Sequence, residues 1–431
     1  VVERSEQLEG TIAVPGDKSI SHRAAVVAGL ADGSSLIRGM SAAADCESTL
    51  SCLEALGVRV RRGTGPGDPI SIEGRGKSGF RQPDRELDAG NSGTTMRLLA
   101  GALAPHPITV RITGDESLRR RPMRRIIEPL TMMGANVTAG DDEGHAPLTV
   151  DGGPLSGIEY SMPVASAQVK SSILLAALGA SGPTTIVERV RTRDHTERML
   201  KRAGVGVEVR GLSVKVEPGT PLAMQLDVPG DFSSAAFLMV AALLCPGSRV
   251  AIRSVGLNPT RIGFLNILRR MEAPVSIALE GVDSWEPRGD LVARSGSLLP
   301  IDVDAEDVAL AIDEIPLVAL LATQAEGRTV ISGAAELRLK ESDRIGGTVA
   351  GLRAMGGDVR ETEDGMVIEG PCRLRGAVVS SARDHRIAMM LALAGMIADG
   401  RTMIGDWEWT DISYPGFAEV LEGIGGRISR I

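Results

Sequence analysis

A chain of 431 residues, 43% hydrophobic and 24% charged, has the composition of a soluble globular protein and a length suited to two domains. A net charge of −8 with 2% aromatic residues excludes a basic, aromatic nucleic-acid platform. No apolar run approaches the ~20 residues of a membrane span. The four cysteines form no CxxC pair, and the start VVERSEQLEG lacks the basic and apolar segments of a signal peptide, so a cytoplasmic location is expected.

Along the chain two kinds of element alternate. The first is a polar cluster followed by an apolar, small-residue run. It occurs as KSISHRAAVVAGLA from Lys18, NSGTTMRLLAGALA from Asn91, SAQVKSSILLAALGA from Ser166, DFSSAAFLMVAALL from Asp231, DEIPLVALLATQAEG from Asp313 and DHRIAMMLALAGMIADG from Asp384. Beyond its first turn each run is apolar on most faces, which predicts a buried helix. The second element is Leu-x-x-x-Gly-x-x-Val/Ile. It occurs as LEALGVRV from Leu53, LTMMGANV from Leu130, LKRAGVGV from Leu200, LRRMEAPV from Leu268, LRAMGGDV from Leu352 and LEGIGGRI from Leu421, with Glu272 replacing Gly in the fourth. Each copy predicts a last helical turn, a left-handed cap and a following strand. Short strands such as PITVRIT (107–113) and SRVAIRS (248–254) lie between. Both series return about every 70 residues, so the chain reads as six similar units, three to a domain.

The chemistry is expected at the polar ends of the buried helices. A helix start exposes unpaired N–H groups and about half a positive charge, so it binds anions. Five starts carry more polar groups than a single cap requires: Lys18-Ser19, Asn91-Ser92-Gly93-Thr94, Ser166-Ala167-Gln168, Asp313-Glu314 and Asp384-His385-Arg386. Capping and solvation account for single residues. They do not account for Lys18 in a chain where only 18, 77, 170, 201, 215 and 340 are Lys among 47 cationic positions. A compact ammonium suits a phosphate or carboxylate oxygen. Two basic islands add to this. RRRPMRR (119–125) reads as a helix start set by Pro122, or equally as a surface patch. LRLKESDRI (337–345) reads as a helix face mixing Arg338, Lys340 and Arg344 with Glu341 and Asp343.

Several familiar sites are excluded. GRGKSG (74–79) leads into FRQP rather than a helix, and no phosphate loop GxxxxGK[ST] or nucleophile elbow GxSxG occurs. The histidines (22, 106, 145, 195, 385) and the cysteines lack metal-ligand spacing, so neither metal nor cofactor is expected. What remains is acid–base chemistry by carboxylates and Lys on a substrate with several negative groups.

PGDKSISHRA (15–24), LDAGNSGTTMR (87–97), RRRPM (119–123), PVASAQVKSS (163–172), TRDHTERML (192–200), VPGDFSSAAF (228–237), DEIP (313–316), LKESDRI (339–345) and DHRIAM (384–389) together resemble the 5-enolpyruvylshikimate-3-phosphate synthase family, in order and nearly end to end. VASAQVK and TRDHTE follow the second of that family's two sequence classes. The resemblance implies two inside-out α/β barrel domains, each of three βαβαββ-type repeats with buried helices. It implies a domain of residues 17–230, a discontinuous one of 1–16 with 231–431, and an active site in the cleft between them.

The implied reaction moves the enolpyruvyl group of phosphoenolpyruvate to the 5-hydroxyl of shikimate 3-phosphate, in chorismate and aromatic amino acid biosynthesis. Both partners are small polyanions, and a monomer is expected. Carried over residue by residue, Lys18, Ser19, Arg23, Ser166, Gln168, Arg193, Asp313 and Lys340 would bind shikimate 3-phosphate. Lys18, Gly93, Arg121, Gln168, Arg344 and Arg386 would bind phosphoenolpyruvate. Asp313 would act as base and Glu341, with Lys18, as acid. The sister enzyme acting on a UDP-amino sugar relies on a loop Cys and lacks the DKS and KESDR motifs. A non-catalytic sensor of phosphorylated metabolites would have no need of Asp313, Glu341 and Lys18.

Three positions depart from the family pattern: Glu336 stands where the first class has Asn, Leu98 where many members have Pro, and Ile412 where many have a lid Lys. With Gly93 retained, intermediate glyphosate sensitivity, competitive with phosphoenolpyruvate, is expected. A site divided between two domains is incomplete while open. Shikimate 3-phosphate alone is therefore expected to compact the protein in solution scattering, and unchanged dimensions at saturation contradict that.

Overall fold

The computed structural model describes every residue except 64, 66, 281–284 and 431. The chain forms two compact units, one of Gly16–Val228 and one of Val1–Pro15 with Pro229–Ile431. The crossings lie one and two residues before those suggested by the sequence.

Each unit contains three four-stranded sheets, and every sheet has the same pattern of one parallel pair followed by two antiparallel pairs. A parallel pair needs a crossover, and a buried helix supplies it. Thus Gly93–Leu103 links Leu87–Asp88 to Thr109–Thr113, and Ala167–Ala177 links Glu159–Ser161 to Thr184–Val187. In the other unit His385–Ile397 links Val378–Ser380 to Arg401–Gly405.

Distant strands complete the pattern. Gln225–Asp227 returns to pair with Ser34–Arg38, while Glu9–Ala13 pairs with Arg249–Gly256. Val2–Glu3 sits between Arg401–Gly405 and Arg427–Ile428. The first residues therefore belong to the later unit because they supply strands to two of its sheets.

The helices are inside and the sheets outside. Every residue of Phe232–Leu244 except the last is buried, and so is all of Ile315–Ala322. Strands such as Ser34–Arg38 and Arg288–Arg294 instead alternate in exposure, burying one face. The six Leu-x-x-x-Gly points all turn through left-handed backbone: Gly57 at φ 86°, Gly134 at 110°, Gly204 at 78°, Gly356 at 92°, Gly425 at 105°, and Glu272 at 56°. Glu272 takes this conformation without the freedom of glycine, at a cost of about 1–2 kcal/mol.

Three local expectations are corrected. The DEIP segment is no open helix start, because helix Ala305–Ala311 runs through a 3-10 turn, Ile312–Glu314, into Ile315–Ala322. Pro122 does not begin a helix. It lies between Glu116–Arg119 and Arg124–Met133. The 337–345 run is no single helix face, since a 3-10 helix, Ala335–Leu339, bends before helix Arg344–Ala354, capped by Asp343.

Close helix packing sets a test. A Cβ at Gly101 would lie 2.1 Å from Ser172 O, whereas one at Gly423 would meet nothing within 4 Å. Gly101→Ala is expected to destabilise by about 1–3 kcal/mol in urea denaturation, and Gly423→Ala to be neutral or slightly stabilising. Equal effects would contradict the packing.

Candidate active site

In the 16–228 unit, three helix starts are tied together by side chains. Asp17 caps the helix Lys18–Leu30 by accepting from Ile20 N at 2.8 Å, which leaves Lys18 as its first residue. Lys18 Nζ pairs with Asp45 Oδ2 at 2.9 Å. Ser92 caps the second helix through Thr95 N at 3.0 Å and makes Gly93 its first residue. Ser166 caps the third through Val169 N at 3.3 Å.

Gln168 bridges the second and third starts, donating to Thr94 Oγ1 at 2.8 Å and accepting from Arg97. Arg193 Nη1 reaches Ser19 Oγ at 3.5 Å. Arg23 is buried, with its guanidinium on Ser19 O, Ser171 Oγ and Thr196 Oγ1. Arg121 donates to Asn91 Oδ1 at 2.8 Å, and Asn91 in turn donates to Asp115 at 2.6 Å. A Cβ at Gly93 would lie 2.8 Å from Arg97 Nη1 and 3.3 Å from Arg121 Nη1, so a methyl there presses on two cations.

Beneath these groups runs a buried chain of hydroxyls. His22 Nδ1 meets Thr49 Oγ1 at 2.7 Å, Thr49 meets Thr95 at 2.7 Å, and Thr95 donates to Ser92 at 2.8 Å. His22 Nε2 is buried without a hydrogen-bond partner. Burial, reinforced by Lys18 and Arg23, holds this imidazole well below its ordinary pKa.

In the unit of 1–15 and 229–431, one arginine gathers the acids. Arg344 is 1% exposed. Its Nε lies 2.8 Å from Asp384 Oδ2, Nη2 lies 2.6 Å from Glu341 Oε2, and Nη1 lies 3.4 Å from Asp313 Oδ1. Burial opposes ionisation of Asp384, but Arg344 and His385 outweigh it and hold the carboxyl below its ordinary range. Arg386 Nη1 donates to Asp313 O at 3.3 Å. Half-buried Lys340 has its pKa lowered by burial, countered by Asp313, reinforced by Arg344, and countered again by Glu341 and Glu336. Under Asp313, Glu314 is fully buried. It receives both ends of the Arg261 fork at 3.0 Å and the Ser233 hydroxyl at 2.5 Å.

The sequence-named residues thus fall into two clusters: Lys18, Ser19, Arg23, Gly93, Arg121, Ser166, Gln168 and Arg193 on one unit, and Asp313, Lys340, Glu341, Arg344 and Arg386 on the other. Glu341 pairs with Arg344, while Arg338 holds Asp343 and Glu361 instead. Ile412 ends a 3-10 helix, Trp407–Ile412. Sequence reasoning did not single out Asp45, Arg97 or Arg261. Arg97 was legible, because four residues past Gly93 it shares that face of the helix. Asp45 and Arg261 come from distant segments with no local signal.

Among the described residues no cluster of His, Cys, Asp or Glu is arranged to hold a metal ion, and no helix is long and apolar enough to cross a membrane.

The architecture is that of the enolpyruvyl transferases. The transferase NikO of Streptomyces tendae, 18% identical, superposes with a TM-score of 0.78 over 99% of this chain and 97% of its own. A closer likeness is EPSP synthase from Acinetobacter baumannii, with a TM-score of 0.87 and 40% identity over 99% of this chain and 97% of its own. The sequence pattern of the EPSP synthase (3-phosphoshikimate 1-carboxyvinyltransferase) family matches residues 2–421. The 3-phosphoshikimate 1-carboxyvinyltransferase of Brevibacillus brevis is 46% identical over 97% of this chain and 98% of its own. That of Syntrophomonas wolfei is 47% identical over 96% of each. The chain belongs to the EPSP synthase family.

The buried imidazole yields a pH prediction. Below the ordinary histidine value of 6.5 the unfolded chain takes up a proton that folded His22 does not. The unfolded state then binds more protons, so stability is complete above that value and falls as pH drops through it. The expected slope for this one group is about 1.4 kcal/mol per pH unit. Urea unfolding of His22→Gln between pH 7.5 and 5.5 is expected to show a slope shallower by that share, and an unchanged slope contradicts the assignment.

Proposed function

We propose that this chain transfers the enolpyruvyl group of phosphoenolpyruvate to the 5-hydroxyl of shikimate 3-phosphate, releasing phosphate, as a transferase of chorismate and aromatic amino acid biosynthesis. Membership of the family over nearly the whole chain carries this reading. The side chains of each unit support it, because one unit offers cations and hydroxyls for a polyanion and the other offers cations with the carboxylates that two proton transfers need.

In this reading Lys18, Ser19, Arg23, Ser166, Gln168, Arg193, Asp313 and Lys340 bind shikimate 3-phosphate. Lys18, Gly93, Arg121, Gln168, Arg344 and Arg386 bind phosphoenolpyruvate. Arginine suits the latter because its planar fork grips carboxylate or phosphate with two hydrogen bonds. Asp313 takes the proton of the 5-hydroxyl as its oxygen bonds to C2 of phosphoenolpyruvate. The π pair takes a proton at C3 from Glu341, aided by Lys18, giving a tetrahedral ketal. Loss of a C3 proton and of the C2–O bond to phosphate then completes the exchange.

An acid at Glu341 requires a protonated carboxyl, whereas the 2.6 Å contact with Arg344 favours the ionised form. An anionic substrate that takes over the Arg344 fork removes this stabilisation and places negative charge beside Glu341. Both changes favour the proton. Substrate binding is thus what arms the acid.

The cysteine-dependent sister reaction has little support here. Burial pushes Cys52 and Cys245 up to about 12 and raises Cys46 as well, which keeps these thiols protonated and poorly nucleophilic. The deciding assay is phosphate release, expected only when phosphoenolpyruvate and shikimate 3-phosphate are both present. Release with UDP-N-acetylglucosamine in place of shikimate 3-phosphate would overturn the reading.

The roles separate kinetically. Glu341→Gln is expected to slow turnover by ~10² or more with ligand affinity within a few-fold. Arg121→Ala is expected to raise KM for phosphoenolpyruvate. Near-normal turnover of Glu341→Gln would remove it as the acid.

A further inference from the structure

Lys170 is the one lysine of the chain that is fully buried, and nothing in the reaction above uses it. It lies in the helix Ala167–Ala177, two residues past Gln168. Its ammonium lies 3.0 Å from Glu188 Oε2, 2.6 Å from Glu197 Oε1 and 3.3 Å from Thr192 O. Glu188 holds the same threonine from the other side, accepting from Thr192 N at 3.1 Å and from the Thr192 hydroxyl. Thr192 is thus gripped at its N–H, its side chain and its carbonyl, and Arg193 is the next residue.

Just past the loop, Thr196 is fixed by the helices Ala167–Ala177 and Lys18–Leu30. Thr196 Oγ1 meets Ser171 Oγ at 2.7 Å and accepts from Arg23 Nε at 2.9 Å. All the groups holding Thr192 are nine-tenths or more buried, with Glu188 at 5%, Thr192 at 7% and Glu197 at 3% exposure. Burial pushes the Glu197 carboxyl above its ordinary range despite the neighbouring Lys170 charge.

We propose that Lys170 and Glu188 form a buried strut that clamps Thr192 and so fixes the bearing of Arg193 relative to Ser19, Ser166 and Gln168, making them positioning residues for shikimate 3-phosphate. This rests on Arg193 binding that substrate, as read above. Removing rotational freedom from Arg193 before binding lowers the ordering cost that the substrate complex must offset. Lysine suits the position because three tetrahedral donors reach three acceptors, two in the loop 188–194 and one on the helix His195–Arg202. The planar fork of arginine would not.

The strut predicts a split between the two substrates that simple loss of stability does not. Thr192→Val keeps the volume and removes one grip. It is expected to raise KM for shikimate 3-phosphate about tenfold, a change equivalent to one hydrogen bond of ~1.4 kcal/mol. KM for phosphoenolpyruvate is expected to stay within twofold and the thermal midpoint nearly constant. Thr192→Ser, which keeps the hydroxyl, is expected to recover most of the loss. Equilibrium binding of shikimate 3-phosphate alone to the full chain should show the same order.

Lys170→Met, if it folds, is expected to show the larger version of the split. The Thr192 pair decides the matter if it does not fold. A lower thermal midpoint with equal changes in both KM values would overturn the strut and leave a purely structural ion pair. Arg193→Ala separates the two levels of inference. If it weakens shikimate 3-phosphate binding while Thr192→Val does not, the strut alone fails. If it has no effect, the assignment of Arg193 fails and the strut falls with it.

Discussion

Everything in this protein follows from placing apolar helices inside their own sheets. A helix such as Phe232–Leu244, buried along almost its whole length, can present nothing but its ends. Its flanks must be Ala, Leu, Met and Val, and the polar residues are driven to the first turn. The starts at Lys18, Gly93 and Ala167 therefore concentrate hydroxyl, amide and ammonium groups where the backbone N–H donors already point. Anion recognition is a consequence of this inversion, because an acidic chain can still hold polyanions where local donors are aligned.

Concentrating charge in dry surroundings has a cost that the structure offsets by pairing. Arg344 is surrounded by Asp384, Glu341 and Asp313, Arg261 forks onto Glu314, and Lys170 meets Glu188 and Glu197. Such buried pairs contribute little net stability compared with apolar packing, and breaking one by removing a single partner costs about 3–5 kcal/mol. Their value lies in geometry. Each fixes a neighbour that the proposed reaction uses: Asp384 holds the Arg344 guanidinium, Glu314 is anchored by Arg261 next to Asp313 in the chain, and Thr192 precedes Arg193. In the proposed reaction the Arg344 cluster differs from the other two, because an incoming anion would compete with Glu341 for Arg344 and so link binding to the protonation state of the proposed acid.

The sequence made the repeat legible because both of its signals are local. Six runs of small apolar residues and six left-handed turns need no tertiary information, and even Glu272, lacking glycine, turns as its position demands. Lys18, Ser19, Gly93, Ser166, Gln168, Arg344 and Arg386 were legible for the same reason, since they lie at helix starts. What could not be read was pairing across segments. Asp45 reaches Lys18 from another helix, and Arg261 lies 53 residues from Glu314. The DEIP segment misled because its helix begins earlier, at Ala305, and a 3-10 turn carries Asp313 through the middle of a helical run. Local pattern identifies a polar turn beside an apolar helix. It does not distinguish a free end from a kink.

In the proposed reaction carboxylates and cations acting on two small anions carry out an addition followed by an elimination. Turnover in deuterium oxide tests it most directly, with phosphoenolpyruvate and shikimate 3-phosphate stopped partway and the vinyl carbon of product and remaining phosphoenolpyruvate read by proton NMR. Protonation at C3 makes that carbon a methyl group in the ketal, so deuterium is predicted in the vinyl position of the product and, where the ketal reverts, of recovered phosphoenolpyruvate. Product formed at full rate with no deuterium at that carbon would mean that C3 is never protonated, and the acid–base account built on Asp313 and Glu341 would be wrong.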